Sequence, residues 1–77
     1  MNIDEKIKQD FVKLGLHIQN LRKERNITLQ ELSEKTGIRV KYLQKIENGI
    51  AFGILIDRHL LKIAIALNVH FYQLFDF

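Results

Sequence analysis

Apolar residues recur along the chain in steps of three and four, and the first stretch shows this most plainly. Ile3, Ile7, Phe11, Leu14, Ile18 and Leu21 form the stripe of one long amphipathic helix, or of two shorter ones broken near Gly15. That helix is expected to end near Arg25. Asn26 suits the left-handed position after a helix, and Lys23 and Arg25 complement the negative end of its dipole. Thr28-Leu29-Gln30-Glu31 reads as a capping box, with Ile27 and Leu32 at the two staple positions. A second helix, about two turns long, therefore begins at Thr28 and runs through Lys35 to Thr36, where Gly37 accepts positive φ and halts it. After Ile38 and Arg39, the run Val40 to Glu47 predicts a third helix. Leu43 and Ile46 share one of its faces, Lys41, Gln44 and Lys45 lie elsewhere, and it stops at Asn48-Gly49.

Ile50 to Ile56 is apolar apart from Gly53, and periodicity does not distinguish a strand from a buried loop there. Asp57 is expected to cap a fourth helix with Leu60, Ile63, Ala64 and Leu67 inward, closed at Asn68. Phe71 to Phe75 suits one last short helix. The pattern is all-α throughout, with no proline, no internal repeat and no linker.

Composition narrows the class. A chain of 77 residues, 47% apolar and 27% charged, has room for one compact core and no second domain. It contains no cysteine, so disulfides and thiolate chemistry are excluded. His17, His59 and His70 include no pair at the i, i+4 spacing that lets two imidazoles grip a metal from one helix face, so neither a metal nor a cofactor is expected. No Ser/His/Asp set, glycine-rich phosphate loop or paired acids can be named, which argues against an enzyme. The opening Met-Asn-Ile-Asp-Glu-Lys lacks the regions of a secretory signal, and no apolar run reaches the roughly 18 residues of a membrane helix. A cytoplasmic location is expected.

The net charge is +3, and its placement says more than its size. Residues 1–49 carry ten basic and seven acidic residues, whereas residues 50–77 carry two of each. Within 22–45 there are seven basic and three acidic residues, a local +4 that attracts phosphate or is simply a solvated face. Two short helices joined by a tight turn containing glycine, the second exposing polar and basic side chains, describe a helix-turn-helix. The DNA major groove, about 12 Å wide, admits one such helix.

Leu14-Gly15 through Ile18, Leu21-Arg22, Ile27-Thr28, Glu31-Leu32, Gly37-Ile38, Leu43, Ile46-Glu47-Asn48-Gly49 and Ile63 to Val69 resemble the Cro/XRE family, the phage-repressor type of helix-turn-helix. The likeness runs over residues 14–75. It implies a five-helix bundle of the lambda-repressor type, spanning 14–77 behind an extension at 1–13, that regulates transcription from double-stranded DNA. Such regulators usually act as homodimers on palindromic operators, and small ones most often repress.

Carried over by position, the resemblance assigns base reading to Val40, Lys41, Tyr42 and Lys45. Lysine donates to guanine O6 and N7, valine touches a thymine methyl, and tyrosine offers a ring and a hydroxyl; the alternative for Tyr42 is a partly buried aromatic. Thr28 and Gln30 match phosphate-gripping positions at the start of the second helix, the alternative for Thr28 being a cap alone. Arg39 replaces the usual capping Ser or Thr and trades that bond for a phosphate contact, and Gln44 and Asn48 complete the expected phosphate set. Arg22 and Glu47 resemble an ion pair found beneath the DNA-binding face, the alternative being two independent surface charges.

Two departures matter. Leu29 stands where some members place a DNA-contacting glutamine, and Ile50 to Ile56 lacks the basic and proline residues often found there. Phe71, Tyr72, Leu74, Phe75 and Phe77, with Phe52 and Ile54, are the candidate dimer surface, or else they close the core from below. Residues 2–12 lengthen the first helix or form an arm. The competing function is a protein-interaction module, such as an antitoxin or accessory factor, that uses the same apolar end.

Overall fold

In the computed structural model the described residues are 2–51 and 56–77. Four α-helices and a terminal 3-10 turn follow one another: α1 Ile3–Glu24, α2 Leu29–Thr36, α3 Val40–Glu47, α4 Ile56–Leu67 and the turn Phe71–Phe75. There is no strand among the described residues. The fifth helical element is therefore a single tight turn rather than an α-helix.

Local chemistry accounts for the boundaries. Asn2 caps α1 by accepting the amide of Glu5 at 2.8 Å, and Asp4 and Glu5 sit in the first turn, where the positive end of the dipole favours them. Gly15 does not interrupt α1, which continues unbroken for 22 residues. At its end Asn26 takes φ 55°, in the left-handed region. The capping box of α2 is complete: the Thr28 hydroxyl accepts the Glu31 amide at 3.1 Å, and the Thr28 amide donates to the Glu31 carboxylate at 3.0 Å. Gly37 closes α2 with φ 76° and its amide donating to the carbonyl of Ser33.

The start of α4 departs from expectation. Asp57 lies inside the first turn of α4 rather than before it, and its carboxylate accepts the amide of Arg58 at 2.8 Å. It therefore complements the dipole without serving as the cap. At the other end Asn68 takes φ 58° and closes the helix. The segment expected at Ile50 to Ile56 lies largely at 52–55, outside the described residues, as do Phe52 and Ile54.

The core draws a fully buried residue from every element: Ile18, Leu32, Leu43, Ile63 with Leu67, and Leu74. Each such side chain contributes roughly 1.5–3 kcal/mol over leaving it in water. Leu74 is thus core, which removes it from the candidate dimer surface; the 3-10 turn directs it inward while Phe71, Tyr72, Phe75 and Phe77 stay exposed. Arg25 ties the base of the bundle together, its guanidinium donating to the carbonyls of Leu67 at 2.7 Å and Leu21 at 3.0 Å. These two carbonyls end α4 and α1 and lack a partner in a following turn.

Candidate nucleic-acid interface

The sequence Lys41, Gln44, Lys45, Asn48 repeats at i, i+3, i+4 and i+7, so a helix must put all four on one side. All four are exposed, while Leu43, Ile46 and Glu47 on the opposite side are buried. Val40 and Tyr42 are half-buried at the two edges of the stripe. Helix α3 thus presents a polar face about two turns long, with two lysines on it and no carboxylate.

Arg39 stands at the head of this face, exposed and making no side-chain capping bond. Among the described residues neither Arg39, Lys41 nor Lys45 takes part in a salt bridge. The start of α2 lies just upstream in sequence. Thr28 and Gln30 are exposed there, and the amides of Leu29 and Gln30 belong to the first turn, with no earlier turn to bond to. Although the Thr28 hydroxyl accepts from Glu31, its own proton remains available to an acceptor. The Gln30 side chain donates to Glu34 at 3.3 Å, a long bond on the surface. Glu31 adds a carboxylate to this region, held below the usual range chiefly by the Thr28 amide and then by its hydroxyl. Leu29 turns inward and packs against the core.

Beneath the polar face, Arg22 and Glu47 meet in a two-pronged ion pair. The guanidinium donates through Nε to Glu47 Oε2 at 2.7 Å and through a terminal nitrogen to Oε1 at 3.0 Å. A third bond runs from Arg22 to the carbonyl of Ile27 at 2.8 Å. One side chain therefore fixes the end of α3, the entry to α2 and the last turn of α1. Both partners are buried, so the bonds supply what water would otherwise give the two charges. The proton affinity of Arg22 is raised, first by these bonds to Glu47 and further by its charge, against an opposing effect of burial.

The structure adds His59, a residue the sequence did not single out. Its ring meets Tyr42 edge-on, with centroids 4.9 Å apart and planes at 67°. Its Nδ1 is buried without a hydrogen-bond partner among the described residues, and burial, with Lys62 and Arg58 nearby, pushes its pKa down against the pull of Asp57. The two rings line a cleft of about 220 Å³ with Gly37, Ile38 and Arg39. Nothing in the sequence around His59 could signal this, because the contact joins α4 to α3, which lie apart in the chain.

At the carboxyl end Phe71 and Phe75 pack edge to face at 5.2 Å, and His70 and Tyr72 stack at 5.4 Å. Phe77 leans on His17, whose Nε2 lies 2.8 Å from the Gln73 carbonyl. No described helix is long and apolar enough to cross a membrane, and no three metal-ligating side chains cluster among the described residues.

Comparison with known proteins agrees with this geometry. The helix-turn-helix family matches residues 18–74. None of the curated protein sequences compared with the chain matches it significantly. Among solved structures, the restriction-modification controller protein C.AhdI from Aeromonas hydrophila superimposes with a TM-score of 0.79 at 28% identity. The match covers 87% of this chain and 98% of that one. With its turn at Gly37 and its polar α3, the chain belongs to the Cro/C1-type helix-turn-helix family of DNA-binding transcription regulators.

Proposed function

We propose that this regulator reads a palindromic operator as a homodimer, inserting α3 into the major groove, and that it represses by occupying the site. The observation that carries the reading is the exposed stripe of Lys41, Gln44, Lys45 and Asn48, with Arg39 at its head and no carboxylate in it. Lys41 and Lys45 take the base edges, with Val40 beside a thymine methyl and Tyr42 contributing the part of its ring and hydroxyl left free by the core. Thr28, Gln30, Arg39, Gln44 and Asn48 hold phosphates and set the register. Likeness to a restriction-modification controller over nearly its whole length supports control of a restriction-modification locus as the setting.

A monomer with so small a charge excess has limited affinity for DNA. Two copies paired through the exposed aromatics Phe71, Tyr72, Phe75 and Phe77 would set their α3 helices about 34 Å apart, one turn of the duplex.

The test is selection of bound sequences from a random duplex library at physiological salt. A palindrome with half-sites about ten base pairs apart is the expected result. Recovery of no motif would sink the reading in favour of a protein-interaction module built on the same aromatic end.

A further inference from the structure

The stripe that α1 turns toward the core continues past the body of the bundle. Leu14 and Ile18 are buried, Phe11 is half-buried, and beyond them Ile7 is 45% and Ile3 78% exposed. This ridge stands between two grooves of about 370 Å³ each. One is walled by Phe75 and Phe77, with Asp10 at its rim; the other is walled by Ile56, with Asp4 and Lys8 at its rim. At 100° per residue, Asp4 and Lys8 flank the ridge on one side and Lys6 and Asp10 on the other. Lys6 and Asp10 are paired at 2.9 Å. Asp4 and Lys8 form no ion pair among the described residues.

From this pattern we infer that the first three turns of α1 are a self-association surface whose occupant is a second copy of the chain, docked antiparallel about a two-fold axis near Ile7. The inference deepens the pairing of copies proposed above and rests on it. An isologous contact needs a surface that complements itself when turned end for end, and both flanks have that property. Rotation brings Asp4 opposite Lys8 of the second copy on one side and Lys6 opposite Asp10 on the other, while Ile3 meets Phe11 and Ile7 meets Ile7. About a two-fold axis parallel to the helices the opposite flanks would meet instead, Asp4 near Lys6 and Lys8 near Asp10 of the second copy, so the exchange of charge between positions 4 and 8 restores pairing only in the antiparallel arrangement. A partner of uniform charge would meet one like charge on each flank. The apolar ridge and the Phe75 and Phe77 wall supply the affinity, and the mixed charges of the flanks favour a second copy over a partner of uniform charge.

The test is sedimentation of the full chain without DNA. Asp4→Lys and Lys8→Glu should each weaken self-association at least about tenfold. An equimolar mixture of the two variants should form a one-to-one heterodimer, since the lysine introduced in one chain then faces the glutamate introduced in the other. The double variant should pair with itself again. Ile7→Glu should abolish pairing while leaving the melting transition close to that of the unaltered protein, because Ile7 lies outside the core.

A wild-type chain that stays monomeric, or single variants that pair as the wild type does, would overturn the inference. The readout separates it from DNA reading by α3. An operator motif recovered for a chain whose pairing ignores these charges sinks only the α1 surface. Charge-dependent pairing with no recovered motif sinks only the operator reading.

Discussion

The carbonyl oxygen of Glu47, at the end of α3, lies against the Cα of Gly15 in the middle of α1. A Cβ on Gly15 would fall 2.6 Å from that oxygen and closer still to the carbonyl oxygen of Ile46. Both obstacles are backbone, so neither can swing aside as a side-chain tip would. This crossing, together with the Arg22–Glu47 bonds, sets the angle at which α3 leaves the bundle.

Gly15→Ala weighs two effects of opposite sign. An alanine within a helix gains about 1 kcal/mol of propensity over glycine, while overpacking a tight crossing costs about 1–3 kcal/mol. With two carbonyls inside contact distance the second effect should win. Urea denaturation should show a net loss of stability, and the α3 resonances should move more than those of α4. A more stable variant with unmoved α3 resonances would mean that the crossing opens freely.

Removing one member of the buried ion pair strands the other. Arg22→Ala or Glu47→Ala should each cost about 3–5 kcal/mol of folding stability, and Arg22→Met with Glu47→Leu should cost clearly less than either single change. Equilibrium unfolding of the three variants provides the comparison. Losses below about 1 kcal/mol for both single variants would place the pair among ordinary surface bridges.

Arg39 and Lys41 are near neighbours in sequence with different proposed tasks. Arg39→Gln should weaken binding evenly across DNA sequences and reduce the log-log salt slope by about one. Lys41→Gln should relax preference at one position of each half-site, at a cost of about 1–3 kcal/mol on the preferred base pair. Affinities measured on a panel of point-varied operators at several salt concentrations distinguish the two. Identical profiles would mean that Lys41 is a phosphate contact.

His59 should make stability depend on pH. Its pKa in the folded chain lies below the ordinary 6.5, so the unfolded chain takes up the proton first as pH falls. Stability contributed by the neutral ring is present above that value, and it declines as pH drops below 6.5 toward the lower folded value. Protonation would also leave a buried N–H at Nδ1 without an acceptor among the described residues, which acts in the same direction. His59→Phe keeps an edge-to-face partner for Tyr42 and removes the titration. Its stability, followed by denaturation between about pH 5 and 8, should lose this component of the slope. An unchanged slope would assign the acid sensitivity to other groups.

Signals within a few residues of each other were enough to set most helix boundaries. The capping reciprocity of Thr28 and Glu31, the left-handed backbone at Asn26, Gly37 and Asn68, and the spacing of Lys41, Gln44, Lys45 and Asn48 all follow from local sterics and the period of the helix. The terminal run Phe-Tyr-Gln-Leu-Phe was different: every apolar residue in it was equally fit for core or surface. Only packing beneath α1 and α4 chose Leu74 for burial and left its aromatic neighbours outside.

By itself the sequence determined the order of the helices and most of their ends, because caps, turns and periodicity act over distances shorter than one turn or two; that α1 runs unbroken through Gly15 was settled only by the fold. The bundle alone decided how α3 is aimed, since that depends on groups far apart in the chain: Gly15 against Glu47, Arg22 against the same residue, and His59 against Tyr42. Such contacts form only when several faces bury their apolar area together, and no short stretch of residues encodes which polar group will then find which partner.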